Sequence, residues 1–452
     1  MIRLPPWAAL LAAPGALGAA TAFSSLDLGG SPTPIGAGAR ALGMGGAFTA
    51  IADDATANTW NPAGMTQLEQ PEMALSGGYH LRHDRSASGT ATHDQFAADH
   101  VGVVVPFHLG VQQTLGLAWQ RQLDFTKAQS FASEEVVDLG FGDTQTESSA
   151  AAITQQGSFA TIALSYAAEV VPGLSFGATA QAWGDRWTAA SEYESRAWLA
   201  SDSVFATGGT PAGGTRGTST STADVEVERG LSAVLGGHWI VNEHLTLGVA
   251  AKPRFTLDLE HALRQRQVVV DAASGAVVAD DVAVVRSSSR LSMPLSATLG
   301  AALRLGDLRT VAVDVTWTRW RGFASEADGT TSSPVNKHVA PSDYRDGWAV
   351  RLGYEHIVPL SRVVLVPRCG LLWEEVPGVT AAPDLTRVEE VSARFDRYVG
   401  ATIGLSAFRT RIVYDIAAQA RHARDVVDDG TPPDESADVW TLVVRGAVAF
   451  LF

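Results

Sequence analysis

From residue 72 onward, the chain is a succession of segments in which apolar side chains alternate with small or polar ones. Alternation with a period of two is typical of β-strands that have one apolar face. The pattern predicts about fourteen strands, at 72–81, 96–107, 112–125, 158–170, 174–187, 227–240, 245–260, 290–305, 308–320, 344–357, 363–374, 395–406, 409–421 and 439–452.

Short and long connections follow one another between these strands. The short ones are Pro172-Gly173, Asn242-Glu243-His244, Gly306-Asp307, Pro359-Leu360-Ser361 and Ala407-Phe408. The long ones are rich in Ser, Thr, Asp and Gly and span 126–157, 188–226, 261–289, 321–343, 376–394 and 422–438. Within the second, 207–222 has the composition of a mobile tip. Tight turns at one rim and long loops at the other are typical of an all-β, transmembrane antiparallel β-barrel.

The two faces of the predicted strands differ in charge. In 439–452, Trp440, Leu442 and Val444 share one face, which suits lipid, whereas Arg445 lies on the other. We expect the charged faces to line the lumen. Tryptophans near the predicted strand ends are expected at the lipid–water interfaces; they are Trp119, Trp187, Trp239, Trp317, Trp320, Trp348, Trp373 and Trp440.

The N-terminus has the features of a secretory signal peptide. Arg3 precedes an apolar stretch from 7 to 21, and Ala20-Thr21-Ala22 forms a small-residue cleavage site, so we predict a signal peptide over 1–22. Beyond it, no stretch reaches the roughly 18 apolar residues of a membrane helix. A soluble β-sandwich would show the same alternation, but it has less reason to place every long loop at one end.

Composition excludes several other classes of function. The net charge is −15 and the 33 Lys and Arg are scattered, which argues against a nucleic-acid partner. A single cysteine, Cys369, excludes an intramolecular disulfide and a multi-cysteine metal site, and predicts a buried or lipid-facing thiol. The sequence has no H-E-x-x-H motif and no paired His and Cys arrangement. We therefore expect no enzyme activity, no cofactor and no metal.

The segment 36–64 carries the most specific motif, GAGARALGMGGAFTAIADDATANTWNPAG. It resembles the N-terminal signature of the FadL/TodX-type outer-membrane transporters of long-chain fatty acids and other hydrophobic compounds. Asp53-Asp54-Ala55 followed by Asn61-Pro62-Ala63-Gly64 matches the hatch motif of that family. The sequence YRDGW at 344–348, with LGY at 352–354, is similar to one of its strands.

This resemblance implies a fourteen-stranded barrel in the outer membrane of a Gram-negative-type bacterium, with an N-terminal plug, or hatch, at 23–70 and the barrel at 71–452. It also implies passive uptake of hydrophobic molecules, with lateral passage into the outer leaflet beside a kinked strand. The expected hatch residues combine backbone freedom with local side-chain bonds; they are Gly43, Gly45, Gly46, Asp53, Asp54, Asn61, Pro62, Ala63 and Gly64. PorV-like relatives share this N-terminal motif but act as interaction or shuttle partners in a secretion system, and that alternative function stays open.

A fatty-acid-like substrate needs apolar surface for its tail and a cation for its head group. The candidate cations are the arginines predicted to face the lumen, Arg351, Arg368, Arg411 and Arg445. The stronger expectation for each of them is a structural role, in which it pairs with one of the lumen carboxylates Asp314, Glu355, Glu374 and Asp415.

Prolines within strands interrupt the hydrogen-bond ladder and are candidates for an opening in the wall. These are Pro106, Pro253, Pro294 and Pro367. Pro106 lies at a strand end and is interpreted as a terminator, and for each of the others taken singly a closed bulge is the favoured interpretation. The remaining expected partners are outer-membrane lipid and the barrel-assembly machinery, whose recognition signal the C-terminal Phe450 and Phe452 resemble.

Overall fold

The computed structural model describes residues 34–85, 90–184, 188, 191–207, 209–336, 339–380, 392–427 and 436–452. The predicted signal peptide at 1–22, the first predicted hatch residues and Trp187 lie outside this range. Among the described residues, we find no helix that combines the length and apolar character needed to cross a membrane.

The described residues form 21 strands, two short α-helices and three 3-10 helices. The helices are α1 (Ala39–Gly43), α2 (Ala57–Trp60), η1 (Pro62–Gln67), η2 (Trp320–Gly322) and η3 (Pro341–Asp343). The strands are β1 (Glu72–Arg85), β2 (Thr90–Leu109), β3 (Val111–Asp124), β4 (Lys127–Gly140), β5 (Asp143–Val171), β6 (Leu174–Trp183), β7 (Glu192–Thr207), β8 (Thr210–Ile240), β9 (Leu245–Lys252), β10 (Phe255–Asp271), β11 (Val277–Met293), β12 (Ser296–Arg304), β13 (Arg309–Thr318), β14 (Ala324–Ala327), β15 (Thr330–Ser332), β16 (Gly347–His356), β17 (Val358–Pro359), β18 (Val364–Val379), β19 (Ala393–Arg409), β20 (Ile412–Val427) and β21 (Ser436–Leu451).

The strands close into one antiparallel barrel. Neighbours along the chain pair with each other, and β1 pairs with β21 from Glu72↔Leu451 to Arg85↔Asp438. Fourteen strands form the barrel when six interrupted strands are each counted once: β3 with β4, β6 with β7, β9 with β10, β11 with β12, β13 with β14 and β15, and β16 with β17. Each of the fourteen predicted segments overlaps one of them, so the prediction of the fold is confirmed.

One predicted turn is wrong. The connection at Ala407-Phe408 is part of β19, and the chain reverses at Thr410-Arg411, where Thr410 has a φ of 56°. Phe408 pairs with Val413 and packs against the buried apolar cluster inside the barrel, and the strand ends three residues later than predicted, at Arg409. Arg411 is consequently exposed in the turn and does not line the lumen.

Several predicted long loops are strands. β5 and β8 contain 29 and 31 residues, far more than the roughly 9–11 that cross a membrane. With β4, β7, β10 and β11 they extend one side of the wall as paired strands. The predicted mobile tip at 207–222 is wrong, because 210–222 belongs to β8 (Thr210–Ile240). The threonines of this segment favour a strand. Its side chains are exposed on both faces, however, so the sequence shows no alternation of apolar and polar residues from which the strand could be predicted.

Within the barrel, the two faces follow the predicted alternation. Outward side chains such as Leu164, Ile403 and Leu231 are exposed, as a lipid-facing surface requires. Inward side chains such as Ser165 are polar and buried. Cys369 is exposed on the outer face, in agreement with a lipid-facing thiol.

The connection between β13 and β16 folds into the mouth of the barrel. Its side chains Trp320, Phe323, Val339 and Tyr344 are buried against the inward-facing residues of β5, β8, β10 and β11. Trp320 is therefore a core residue of this cap and not an interfacial tryptophan. The cap covers the lumen from the side of the long strands.

Candidate functional site: the lumen and its hatch segment

Residues 34–71, the hatch segment, lie inside the barrel. Helix α1 contacts β18, β19, β20 and β21, whereas η1 contacts β2, β3, β5, β6 and β8 on other parts of the wall. The segment buries Met44, Phe48, Ile51 and Met65 in an apolar cluster that also includes wall residues such as Val104. The hatch segment thus has its own core, which it shares with the wall.

Asn61 connects this segment to the wall and is completely buried. Its Oδ1 accepts a hydrogen bond from the Ala63 N–H at 3.2 Å, which is the local bond expected from the sequence. Its Nδ2 donates to the carbonyl oxygens of Thr49, at 2.8 Å, and of Gly237 in β8, at 3.0 Å. Pro62 then begins η1. One side chain therefore joins two parts of the hatch segment to the barrel.

Several wall strands present a glycine where the hatch backbone approaches. A Cβ at Gly248 would lie 2.3 Å from the Thr49 carbonyl oxygen, and one at Gly370 would lie 2.4 Å from the Gly45 nitrogen. We call these residues the glycine belt; it comprises Gly177, Gly236, Gly248, Gly300, Gly353, Gly370 and Gly404. Along the belt the hatch backbone lies directly against the wall, which leaves no room for a solute between them.

The predicted acidic residues of the hatch take part in an ionic cluster at Arg40. The Arg40 guanidinium donates to Asp53 and lies 3.9 Å from Asp54 and 3.5 Å from Glu355 in β16. Burial raises the pKa of Asp54 above its ordinary value, while Arg40 opposes that shift. The cluster fastens the hatch segment to the wall on the side of the short turns.

Asp314 of β13 provides a second attachment. Its Oδ2 accepts hydrogen bonds from the backbone N–H groups of Phe48, at 3.0 Å, and Thr49, at 2.9 Å. The sequence indicated that Asp314 faces the lumen, but not that its partners are backbone groups of the hatch.

Three of the four candidate arginines line the lumen, and two of them are engaged in buried pairs. Arg368 contacts Glu355 at 3.0 Å and Asp415 at 3.5 Å. Arg445 donates to Asp99 at 2.8 Å. These two arginines therefore have the structural role of pairing with carboxylates.

Arg351 is the candidate that borders open space. It is half-buried and contacts Thr316 at 3.1 Å and Glu374 at 3.4 Å. With Trp60, it separates two adjoining lobes of a cavity between the hatch segment and the cap.

The two lobes differ in character. One, of about 150 Å³, has mainly aromatic and apolar walls, formed by Trp60, Trp183, Phe255, Met293, Pro294 and Trp320. The other, of about 190 Å³, is lined largely by polar and charged side chains, including His80, Arg82, Gln95, Asp124, Glu374 and Arg421. Together they reach the roughly 300–1,000 Å³ typical of small-molecule pockets. We call them the apolar lobe and the polar lobe.

Lys252 is a functional candidate that the sequence analysis missed. It lines the apolar lobe, and within the described part of the chain its ammonium group has no hydrogen-bond or ion-pair partner. The alternation in β9 places it on the lumen face, in step with the buried Gly248 and Ala250. The sequence signal that could have identified Lys252 is this alternation, because it places a lysine on an inward face, next to Pro253. Among the described residues, no group of three or more side chains could hold a metal ion.

Comparisons with known proteins agree with this architecture. Solved structures similar to the chain include the CymD monoaromatic hydrocarbon channel (17% identity, TM-score 0.53, covering 92% of this chain and 98% of that one). Others are a Pseudomonas aeruginosa FadL homologue (14%, 0.56, 94% and 100%) and the Pseudomonas putida toluene transporter TodX (14%, 0.55, 92% and 98%). At these identities the likeness shows the fold. A search of curated protein sequences finds no match.

The sequence profile of one family, described as outer membrane protein transport protein (OMPP1/FadL/TodX), matches residues 34–378. The match includes the hatch segment and the wall from β1 into β18, so it covers most of the chain. This is a family of outer-membrane transport proteins for hydrophobic compounds. The chain belongs to this family.

Proposed function

We propose that this protein is a channel for passive uptake of long-chain fatty acids or similar hydrophobic molecules with an anionic head group, which it releases laterally through the barrel wall. The observation that carries the proposal is Lys252, which has no partner among the described residues and lies at the edge of an aromatic and apolar lobe.

The apolar lobe suits a hydrocarbon tail. Trp183 and Phe255 stack with their ring centroids 5.4 Å apart, and Met293 and Trp320 extend the same surface. Unbranched methionine adapts to irregular apolar partners, and aromatic rings offer a large contact area. A chain of methylene groups gains about 0.8 kcal/mol for each group removed from water.

Lys252 suits the head group. A cation away from bulk water is stabilised by a carboxylate, and a charge-assisted bond between the two is about twice as strong as a neutral one. Arg351 lines the same lobe and pairs with Glu374, and the Asp314 carboxylate that also lines it accepts hydrogen bonds from the hatch backbone, so Lys252 is the cation of this lobe that has no partner among the described residues. A neutral hydrocarbon would leave Lys252 without a partner.

Release through the wall is supported by the fit of the hatch segment. The glycine belt brings the hatch backbone against the wall, and Asn61 and Asp314 hold it there. A bulky tail cannot pass along the axis unless these contacts break. The wall next to the apolar lobe offers a shorter path into lipid.

A binding experiment with two substitutions tests this proposal. Lys252→Met should weaken the binding of oleate to the purified protein by about tenfold, because one charge-assisted hydrogen bond is lost. The binding of oleyl alcohol should stay unchanged. Arg362→Met, which removes an exposed cation at the turn before β18, is the control and should change neither. Equal affinity of Lys252→Met and wild type for oleate would contradict the proposal.

The alternative is a PorV-like interaction partner of a secretion system. One observation favours it, namely the paired extension of β4, β5, β7, β8, β10 and β11, which offers a broad surface beyond the membrane. The same binding assay separates the two functions, because an interaction partner should show no saturable binding of oleate.

A further inference from the structure

We propose that a groove on the outer face of the barrel, between β19 and β20, binds the phosphate group of a lipid head group in the outer leaflet. Arg397 and Arg424 hold the phosphate, and the acyl chains of the lipid lie along the wall below them. The groove shares no lining residue with either lobe of the lumen. It is therefore a site separate from the one proposed for the fatty acid.

The groove arises where the pairing of two strands ends. The ladder between β19 and β20 ends at Val399↔His422, and the strands separate beyond this pair. At this point β20 bulges, since Arg424 and Asp425 stand opposite a single residue of β21. Asp425 has a φ of 57°, and its carbonyl oxygen accepts a hydrogen bond from the Arg394 guanidinium. A bulge changes the direction of neighbouring side chains, and here it borders a groove of about 490 Å³.

Three arginines line the groove, and two of them are turned toward the surroundings. The side chain of Arg397 is 70% exposed and lies on the same face of β19 as the exposed Val399. Arg424 is exposed and has neither a hydrogen-bond nor an ion-pair partner among the described residues. The third, Arg394, pairs with Asp396 at 3.0 Å. Arg397 and Arg424 are therefore the cations that a ligand can reach.

The charge of these two arginines is only partly balanced. The nearest carboxylate to Arg397 is that of Glu375, at 3.9 Å. Both oxygens of Glu375 already accept hydrogen bonds from Arg345, at 2.5 Å and 3.0 Å. Asp425 lines the groove as well and offsets one positive charge. The two guanidinium groups exceed this one carboxylate, so the groove attracts an anion.

The position of the groove corresponds to the head groups of the outer leaflet. The short turns of a bacterial barrel lie on the periplasmic side, so the groove is near the outer surface. Arg397 lies twelve residues from Arg409, where β19 ends at the short-turn rim. At a rise of about 3.3 Å per residue and a tilt of about 40°, this places Arg397 roughly 30 Å from that rim, just beyond an apolar band of about 25 Å.

An aromatic pair marks the same border. His422 stacks on Trp440 with the ring centroids 4.1 Å apart, one row of outward side chains below Arg424. Aromatic rings with a polar edge are typical of the lipid–water interface. Below this pair the outward side chains of β19, such as Ile403, are apolar and exposed. The groove is thus continuous with the surface that contacts acyl chains.

A similar arrangement recurs on another part of the wall. The Asp258 carboxylate contacts Arg229 at 2.7 Å and Arg290 at 3.2 Å, and both arginines are largely exposed. Arg229 lies two residues beyond the outward-facing, exposed Leu231. Two arginines again share one carboxylate at the border of the apolar surface. Such an excess of arginine suits an anionic layer of head groups around the barrel.

Phosphate is the anion that this groove suits best. A guanidinium group donates two parallel hydrogen bonds to a phosphate, and its planar form makes arginine better than lysine for this contact. A phosphate that is part of a lipid also places its acyl chains along the apolar surface below Arg397. Free phosphate has no use for that surface. The continuity of the groove with the apolar surface therefore favours a lipid as the source of the phosphate.

The first test measures the binding of lipid A with two phosphates to the purified protein, by native mass spectrometry. Arg397→Gln with Arg424→Gln should weaken this binding about thirtyfold, since each arginine near an anionic lipid contributes a factor of about five. Arg362→Gln removes an exposed arginine at a short turn and is the matched control, which should bind like the wild type. Binding of oleate and heat-modifiable migration should be unchanged in both variants. Equal affinity of the double variant and the wild type for lipid A would overturn the proposal.

The second test uses the wild type alone and therefore does not depend on the folding of a variant. Lipid A from which both phosphates have been removed should bind about thirtyfold more weakly than the form with two phosphates. An excess of inorganic phosphate should not displace the phosphorylated lipid. Equal binding of the two lipids would overturn the role of the phosphate. Displacement by inorganic phosphate would show a simple anion site and would overturn the assignment to a lipid.

Discussion

The side-chain amide of Asn61 donates to the carbonyl oxygen of Gly237 across a distance of 3.0 Å, and the adjacent Gly236 has no Cβ to separate them. A Cβ at Gly236 would lie 2.1 Å from Asn61 Oδ1. The hatch segment and strand β8 are therefore fitted to each other at the level of the backbone. This fit makes the hatch testable separately from the barrel.

We expect Asn61→Ala with Pro62→Ala to loosen the hatch segment. The change removes a buried side chain that makes three hydrogen bonds, and it frees the φ angle of residue 62. Each carbonyl group left without a partner lowers the free energy of unfolding by roughly 1–3 kcal/mol. Leak of a small solute from liposomes should rise. The ladder of the barrel does not use these residues, so the heat-modifiable migration on a gel should be retained. Unchanged leak, with the segment shown to be disordered, would mean that it does not limit passage.

A methyl group on the glycine belt should displace the hatch without opening the barrel. Gly248→Ala places a Cβ 2.3 Å from the Thr49 carbonyl oxygen, and overpacking of this kind destabilises by about 1–3 kcal/mol. Limited proteolysis should then cut within residues 34–71 faster than in the wild type. Gly446→Ala is the matched control, because the Cβ there meets nothing within 4 Å. Equal rates of cleavage in the two variants would contradict the role of the belt.

The pair of Arg445 and Asp99 should stabilise the barrel together with the hatch. Both side chains are buried, and Arg445 also donates to the Gly38 carbonyl oxygen at 3.5 Å. Removal of one partner of a buried pair typically destabilises by about 3–5 kcal/mol. Arg445→Met should therefore lower the temperature at which the folded gel band disappears. Because Asp99 also pairs with Arg121 at 2.9 Å, adding Asp99→Asn should not recover the loss. An unchanged temperature for Arg445→Met would argue against the pairing.

Much of the wall was predictable because one face of each strand meets lipid and the other meets the lumen. The alternation in 439–452 assigned Trp440 and Arg445 to opposite faces, and the structure places them so. Above the membrane both faces meet water, and the sequence of β8 from Thr210 reads as a loop although it is paired. The alternation of apolar and polar residues therefore does not predict strands where neither face contacts lipid.

The lumen was less predictable, because its contacts depend on register across distant strands. Gly248 and Gly370 are unremarkable in their own segments and acquire a role only where the hatch backbone meets them. Arg411 was misplaced because the turn begins three residues later than expected. The alternation places Lys252 on an inward face, but its significance also depends on having no partner within the described part of the chain, which a sequence cannot show.

The C-terminus offers a prediction about biogenesis. Phe452 is exposed, and its N–H donates to the Pro71 carbonyl oxygen at 3.0 Å where the barrel closes. If the assembly machinery reads this residue, its deletion should reduce insertion into the outer membrane more than it reduces synthesis. Fractionation of cells that express both chains measures the two quantities. Equal insertion would show that Phe452 is only another lipid-facing side chain.

The most direct measurement for the proposed function is a structure of the protein determined in the presence of a saturating long-chain fatty acid. We predict its carboxylate within hydrogen-bond distance of Lys252 Nζ, with the tail beside Trp183, Phe255 and Met293. A fatty acid with its carboxylate in the polar lobe, or an apolar lobe that stays empty at saturation, would contradict the proposal.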